Sequence, residues 1–333
     1  MMSKLLKVLL IAVPVVVITV FSALLFIPKN NGLPYRVTVE KGQGISAVSR
    51  KMAQDGKIFN RTVLVATAYA MGVHNQLSMG SYRFPAQFSA WEVIKRLRQN
   101  SPDTVRVQII EGMKFSQMRH VINQTANIKH DTRHMSHAEL LRKIDPNAIS
   151  DNPEGLFFPE SYEIAAESSD LQIFQAAYKA MQKELDKAWK ERDTSLPYKN
   201  PYELLIMASL VEKETAHADD RGDVAAVFRN RLAINMRLQT DPTVIYGMGD
   251  AYKGRIRKAD LQRDTPYNTY TRHGLPPTPI ALPSRAALQA VANPSSSKYL
   301  YFVSRMDNTG KSQFSHTLEE HNAAVRKYIL KKK

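Results

Sequence analysis

The segment PYELLIMASLVEKET at residues 201–215 joins an apolar run to two closely spaced glutamates, and it decides how the chain is interpreted. A proline at its first position suits the first turn of a helix, where the missing N–H would have no partner. Placed on a helical projection, the apolar side chains centre near Met207 and Val211. Glu214 falls roughly 35° from that direction and Glu212 roughly 125° away. We therefore predict that Glu214 points toward the core and that Glu212 lies on a solvated face.

This placement makes Glu214 the candidate catalytic acid, with Glu212 as the alternative. A carboxyl group held against apolar neighbours has its charged form disfavoured, which raises its pKa. A general acid that works near neutral pH needs such a raised pKa. The other explanation is a structural ion pair of this carboxyl group with Arg221, Arg229 or Arg231.

The stretch 239–283 is rich in Pro, Gly, Asn and Tyr, and we expect a long irregular loop. Long loops inside compact domains are usually functional. Glycosidases usually need a second carboxylate, and Asp241 is the candidate, although an Asp before Pro is as often structural. The side chains of this stretch offer aromatic faces, amides and hydroxyls, which suit a sugar ligand. The alternative is a structural loop that covers the core. The predicted substrate-binding residues are Gln239, Thr240, Asp241, Tyr246, Tyr267, Asn268 and Tyr270.

Composition excludes several classes of site. The chain has no cysteine, which rules out disulfides, thiolate nucleophiles and cysteine metal sites. His130, His134 and His137 have the spacing of one helix face, but a capping box at Ser136 and Glu139 would start a new helix there. We expect a solvated surface segment, no metal and no cofactor. The net charge of +15 favours polyanionic partners, but no nucleic-acid motif is present, so nucleic acid is not expected.

Near the N-terminus, residues 8–27 carry no charge and follow Lys4 and Lys7. An apolar run of about 20 residues can cross a bilayer as a helix. A cleaved signal peptide is the alternative, but the run is long for one and lacks a small-x-small cleavage site. The preceding lysines favour a cytoplasmic N-terminus. We predict a single-pass protein of the inner membrane with its body outside the cytoplasm.

The body of the chain predicts an α+β fold. Strand patterns at 35–40 and 79–84 flank helix patterns at 45–54 and 62–71. This strand–helix–helix–strand outline resembles a LysM-type wall-binding module, and a generic small α+β domain is the alternative. The predicted parts are a cytoplasmic tail and transmembrane anchor at 1–30, a LysM-like subdomain at 35–110, a helical connector at 111–152 and a larger mixed α/β catalytic domain at 153–333.

Six motifs, in order, resemble the YceG-like endolytic murein transglycosylases. They are EGLFFPESY (154–162), ASLVEKET (208–215), VFRNRL (227–232), MRLQTDPTVIYG (236–247), YNTY (267–270) with GLPP (274–277), and YLYFV (299–303). The resemblance implies a lytic cut between N-acetylmuramic acid and N-acetylglucosamine. One glutamic acid protonates the bridging oxygen, and the muramyl 6-hydroxyl then attacks its own anomeric carbon to give a 1,6-anhydro end. Because the nucleophile is internal, no second acid or base is required.

The resemblance also implies partners and a location. The substrate would be peptidoglycan glycan strands, cut so that nascent strands are terminated, by a periplasmic catalytic domain held at the inner membrane. Peptidoglycan synthases are the expected protein partners. Two alternatives remain open, a hydrolytic muramidase that uses the same site and a non-catalytic scaffold that binds peptidoglycan.

Overall fold

The computed structural model describes residues 4–40, 42–74, 77–99, 102–215 and 217–330, with side chains from residue 11 onward. The first three residues of the predicted tail and the last three of the predicted catalytic domain lie outside this description. The chain divides into two compact units. Unit 1 comprises Met1–Arg106, Ala126–Lys129 and Glu163–Asp170, and unit 2 comprises Val107–Thr125, His130–Tyr162 and Leu171–Lys333. The segment predicted as a connector, 111–152, therefore lies in unit 2 except for Ala126–Lys129.

The first helix, α1, covers Lys4–Phe26 and contains Pro14. Among the residues that the structure describes, no helix combines the length and the apolar character needed to cross a membrane. The helix itself is confirmed, but its prediction as a membrane span is not supported.

Unit 1 has the predicted strand–helix–helix–strand order. Strands β2 and β3 pair antiparallel, with Tyr35 opposite Phe84, and the alternate residues of β2 are buried beneath the helices. A capping box formed by Ser89 and Glu92 starts α4. After α1 the elements are β1 (Lys29–Asn30), β2 (Tyr35–Val39), α2 (Ile45–Gln54), α3 (Arg61–Ala70), β3 (Gly80–Phe84), β4 (Gln87–Phe88) and α4 (Ala90–Arg98).

Unit 2 is mainly helical and contains the antiparallel pair of β7 and β8, so the α+β class is confirmed. Strand β5 (Thr104–Gln108) pairs with β6 (Ser161–Ala165), and each of these two strands has residues in both units. The other elements are α5 (Phe115–Gln124), α6 (His137–Ile144), α7 (Leu171–Lys190), α8 (Pro201–Glu214), α9 (Ala218–Ala233), α10 (Asp241–Met248), a 3-10 turn (Gly249–Ala251), α11 (Lys258–Gln262), α12 (Arg285–Ala292), β7 (Tyr301–Ser304), β8 (Ser312–Ser315) and α13 (Leu318–Tyr328).

The histidine-rich segment is not one helix. Ser136 and Glu139 form the predicted capping box, so α6 starts at His137, and His130 and His134 precede it. Within the described part of the chain, no group of three or more His, Cys, Asp or Glu side chains could hold a metal ion.

Helix α8 is the central helix of unit 2. Every residue from Leu204 to Val211 is buried, because α7, α9, α10 and α12 all pack against it. Between Leu204 and Val211 the helix therefore has no solvated face, so the predicted division into an apolar and a solvated side is wrong over these residues. Lys213 in the last turn is exposed.

The prediction of one long irregular loop over 239–283 is also wrong in part. Asp241 and Pro242 open helix α10, with the proline at the first turn, and α11 follows after the 3-10 turn. Proline at this position removes an N–H that would have no helical partner, so it starts a helix here instead of extending a turn.

Candidate active site

Glu214 is the last residue of α8, and its half-buried carboxyl group receives a hydrogen bond from another helix. The Thr240 hydroxyl donates to Oε1 of Glu214. Thr240 occupies the N-cap position of α10, yet within the described chain its side chain makes no capping bond to that helix. An N-cap threonine normally accepts from the first-turn N–H groups. Here its hydroxyl instead places the start of α10 against the carboxyl group.

The surroundings of Glu214 favour its neutral form. Burial raises the pKa of Glu214 to about 7, and the negative charge of Asp241 acts in the same direction. The hydrogen bond from Thr240 and the positive charge of Arg231 stabilise the carboxylate and oppose that rise. Near neutral pH, both the protonated and the ionised form of Glu214 are therefore populated. A side chain that first donates a proton and then accepts one needs both forms.

The carboxyl group of Glu214 lies at the wall of a pocket of about 450 Å³. This volume is within the range of small-molecule and sugar sites. One part of the wall comes from α8, α9 and the start of α10, and another part comes from β7 and α13. The lining residues are Glu214, Arg231, Leu238, Gln239, Asp241, Tyr270, Tyr301, Phe302, Val303, Leu318, His321 and Val325.

Arg231 contributes charge to this pocket without forming an ion pair. Its Nε donates to the Leu300 carbonyl at 2.7 Å and its Nη1 to the Leu238 carbonyl at 2.7 Å. The guanidinium lies over the Tyr301 ring, 5.2 Å from its centroid. Within the described part of the chain, no cation lies within 4.0 Å of the Glu214 carboxylate. The structural ion pair considered from the sequence is therefore absent there.

Glu212 holds two helices together, and the prediction that it lies on a solvated face is wrong. Its Oε2 accepts from the Ser284 backbone N–H at 2.9 Å and from the Ser284 hydroxyl at 2.6 Å. Ser284 is the N-cap of α12, which covers this side of α8. The carboxylate therefore ties α12 to α8, and the pocket that contains Glu214 is not lined by Glu212.

Three of the predicted substrate-binding residues line the pocket beside Glu214, namely Gln239, Asp241 and Tyr270. The Tyr270 hydroxyl donates to Oδ1 of Asp241 at 2.6 Å. Gln239 has a φ of 50°, in the left-handed region that favours glycine. Strained backbone of this kind concentrates at functional sites, where surrounding contacts hold it in place.

The other predicted residues have mainly internal contacts. Asn268 is 1% exposed, and its amide donates to the Leu261 and Arg263 carbonyls while accepting from the Tyr270 N–H. Its side chain thus fixes the loop that presents Tyr270 to the pocket. Tyr267 packs against Tyr246, with ring centroids 4.8 Å apart.

The Tyr246 hydroxyl bonds Glu154, a buried acid that was not predicted from the sequence. Glu154 is 5% exposed, and it accepts from the Phe115 N–H at 2.8 Å and from the Tyr246 hydroxyl at 3.0 Å. Burial raises the pKa of Glu154 to about 7, although these hydrogen bonds act against the rise. The only signal in the sequence is that Glu154 opens the EGLFFPESY motif.

The contribution of β7 and α13 to the pocket wall was not predicted from the sequence either. Tyr301 belongs to the YLYFV motif, which offered a signal, but nothing in the sequence near His321 pointed to the pocket. Leu318, His321 and Val325 have helical spacing, and only the packing of α13 against β7 brings them to Glu214.

Known proteins resemble this chain over most of its length. The profile of the YceG-like family matches residues 37–327. A Bacillus subtilis (strain 168) protein named endolytic murein transglycosylase is 32% identical over 302 residues, which cover 88% of this chain and 72% of that protein. A Streptococcus pneumoniae serotype 2 protein of the same name is 26% identical over 349 residues, or 94% of this chain and 62% of that protein. The chain thus spans less than two thirds of the pneumococcal protein. The crystal structure of a YceG-like protein from Listeria monocytogenes has a TM-score of 0.54 and 30% identity, covering 87% of this chain and 98% of that one.

Proposed function

Because the chain belongs to the YceG-like family, we propose that it is an endolytic murein transglycosylase whose catalytic acid is Glu214. The observation that carries this proposal is a half-buried carboxyl group at a pocket wall, with a pKa of about 7. The names of the Bacillus and Streptococcus relatives support murein as the substrate.

In the first step the protonated Glu214 acts as an acid. The Thr240 hydroxyl occupies Oε1, which leaves Oε2 to carry the proton toward the glycan. Glu214 gives this proton to the oxygen that bridges N-acetylmuramic acid and N-acetylglucosamine. The bond from the muramyl anomeric carbon to that oxygen breaks, and N-acetylglucosamine leaves with a free hydroxyl. The negative charge of Asp241 in the same pocket stabilises the positive charge that develops on the sugar ring.

In the second step the same group acts as a base. The Glu214 carboxylate, stabilised by Thr240 and by the charge of Arg231, removes the proton of the muramyl 6-hydroxyl. That oxygen bonds to the anomeric carbon and closes a 1,6-anhydro ring. Glu214 is protonated again, and no water is consumed. A group whose pKa lies near 7 can perform both transfers with little cost in driving force.

A hydrolytic muramidase is the second candidate, and Asp241 is the observation in its favour. Hydrolysing glycosidases need a second carboxylate to act as nucleophile or to activate water. Asp241 lines the same pocket as Glu214. In a lytic enzyme, Asp241→Asn would slow the reaction but leave anhydro products. In a hydrolase it would abolish the reaction.

Mass spectrometry of the products tests the proposal. Purified murein is digested with the wild type, with Glu214→Gln and with Glu212→Gln as the matched control on the same helix. We expect wild type and Glu212→Gln to give ends that are lighter by one water than reducing ends, and Glu214→Gln to give none. Reducing ends would favour the muramidase. Retained murein binding without cleavage by the wild type would favour the scaffold.

We propose, on the sequence of residues 8–27 and on the murein substrate, that the enzyme acts at the outer face of the inner membrane. The proposal extends to a wall-binding role for the LysM-like strand–helix–helix–strand part of unit 1 and to contact with peptidoglycan synthases. Alkaline extraction of membranes that contain the full chain, compared with a variant lacking residues 1–27, tests the membrane location. Release of the full chain by alkali would contradict it.

A further inference from the structure

One face of α13 carries a single polar side chain between two apolar ones. Leu318, His321 and Val325 are separated by three and four residues, which places them on the same side of a helix. All three line the pocket that contains Glu214. The part of the pocket wall that α13 forms therefore offers one hydrogen-bonding side chain between two apolar ones.

The environment of His321 fixes which of its nitrogens can donate. The imidazole stacks on Tyr301 at 5.3 Å, and its Nδ1 is buried with no hydrogen-bond partner in the described part of the chain. Burial and the nearby charge of Arg231 lower the pKa of His321, so the ring is neutral at neutral pH. A neutral imidazole carries one proton, and an N–H at Nδ1 would be buried without an acceptor. The proton is therefore favoured on Nε2.

Among the ring atoms, Nε2 is also the one open to a ligand. In the described part of the chain it has no protein partner, and it is not among the buried unpaired atoms. The pocket-lining histidine thus presents an N–H donor with no accepting capacity. Such a group selects an acceptor oxygen on the substrate, and the flanking Leu318 and Val325 favour an oxygen that has a methyl group beside it.

We propose that His321 donates from Nε2 to the carbonyl oxygen of an N-acetyl group of the glycan, with Leu318 and Val325 against the acetyl methyl. An acetamido group, which both murein sugars carry, joins an acceptor carbonyl oxygen and an apolar methyl to the same carbon atom. A ring hydroxyl offers no such methyl. This inference rests on the proposed function, because it takes murein as the ligand.

The test compares two substrates across three variants. Murein strands with intact N-acetyl groups and strands de-N-acetylated by a peptidoglycan deacetylase are given to wild type, His321→Leu and His321→Gln. Leucine removes the donor, whereas glutamine keeps an N–H at a similar reach. We expect His321→Leu to raise KM about tenfold on acetylated strands only, since a neutral hydrogen bond contributes about that factor. We expect His321→Gln to keep most of the preference for acetylated strands.

His316→Leu is the matched control, since His316 is exposed and does not line the pocket. Equal losses on both substrates in His321→Leu would overturn the assignment and leave His321 a packing residue. If the wild type cleaves neither substrate, the proposed function fails, and calorimetric binding of the same strands then decides the role of His321. Acetyl-dependent binding that His321→Leu removes would support the assignment, and binding that does not depend on the acetyl groups would overturn it.

Discussion

Two carboxyl groups in unit 2, those of Glu214 and Glu154, have pKa values raised to about 7 by burial, and both are hydrogen-bonded from the same helix region. Thr240 at the start of α10 donates to Glu214, and Tyr246 within α10 donates to Glu154. They differ in access. Glu214 lines the pocket, whereas Glu154 is 5% exposed and also holds the Phe115 N–H. A raised pKa therefore reports burial, and access to the pocket distinguishes the acid proposed as catalytic from the structural one.

The largest expected effect is at Glu214. Glu214→Gln should lower kcat on murein by a factor of about 10² to 10⁴, because the amide can neither give nor take the proton. Release of soluble fragments from labelled murein measures the loss. Full activity of Glu214→Gln would show that access to the pocket does not make Glu214 catalytic. Another group would then have to be the acid.

The pH dependence should follow the accessible acid. The reaction begins with Glu214 protonated, and its pKa is about 7, so kcat/KM of the wild type should fall about tenfold per pH unit above that value. Initial rates from pH 5 to 9 measure this limb. The limb should stay in place in Glu154→Gln. If the alkaline side of the pH–rate profile moves in Glu154→Gln, the buried Glu154 controls the rate.

Thr240→Val should act on Glu214 through its pKa. The hydroxyl bond stabilises the carboxylate, so its removal raises the pKa of Glu214 and moves the alkaline limb to higher pH. We expect a loss of about tenfold in kcat, because Glu214 with a higher pKa is a weaker acid in the first step and no longer has the donor that holds its Oε1 in place. Thr243→Val, one turn into α10, is the control, since within the described residues the Thr243 hydroxyl bonds to Thr240 O and Thr269 and not to Glu214. An unmoved limb in Thr240→Val would contradict the assignment.

Glu154→Gln should change activity least, and it should reduce the pH dependence of stability. The folded pKa lies above the unfolded value of 4.5, so the folded state binds more protons between pH 4.5 and 7. Stability is therefore lost as pH rises through this window, by on the order of 2 to 3 kcal/mol. Urea unfolding at pH 5 and pH 8 should show a smaller fall in Glu154→Gln than in the wild type. Equal falls would show that Glu154 is not held neutral by burial.

Local pattern predicted the elements of this fold well, because helix starts and strand alternation are encoded over a few residues. The helix at Ile45–Gln54 and the capping box at Ser136 are confirmed. The covering of α8 by four other helices was not predictable, since it depends on residues far away in the chain. For that reason the prediction that Glu212 lies on a solvated face is wrong, since its carboxylate bonds Ser284 at the start of α12.

The same reason explains what was missed at the site. Glu154 acquires its environment from Phe115 and Tyr246, and His321 reaches the pocket only because α13 packs on β7. No spacing within one segment encodes such a contact. Of the seven predicted substrate residues, Gln239 and Asp241 lie at the pocket because they flank Thr240, which bonds Glu214. Tyr270 lies far from them in sequence and reaches the pocket beside Asp241, to which its hydroxyl donates.

The Thr240 hydroxyl bonds Glu214 instead of capping α10, and this has a consequence for attempts to raise the thermal stability of the protein. An aspartate at position 240 would cap α10 in the usual way, and a restored N-cap contributes about 1 kcal/mol. It would also place a second negative charge against Glu214 and remove its donor. A screen that selects only for thermal tolerance would therefore favour Thr240→Asp and collect stable but inactive variants. At position 240, a substitution that raises thermal stability is therefore expected to lower activity, and directed evolution must select for both.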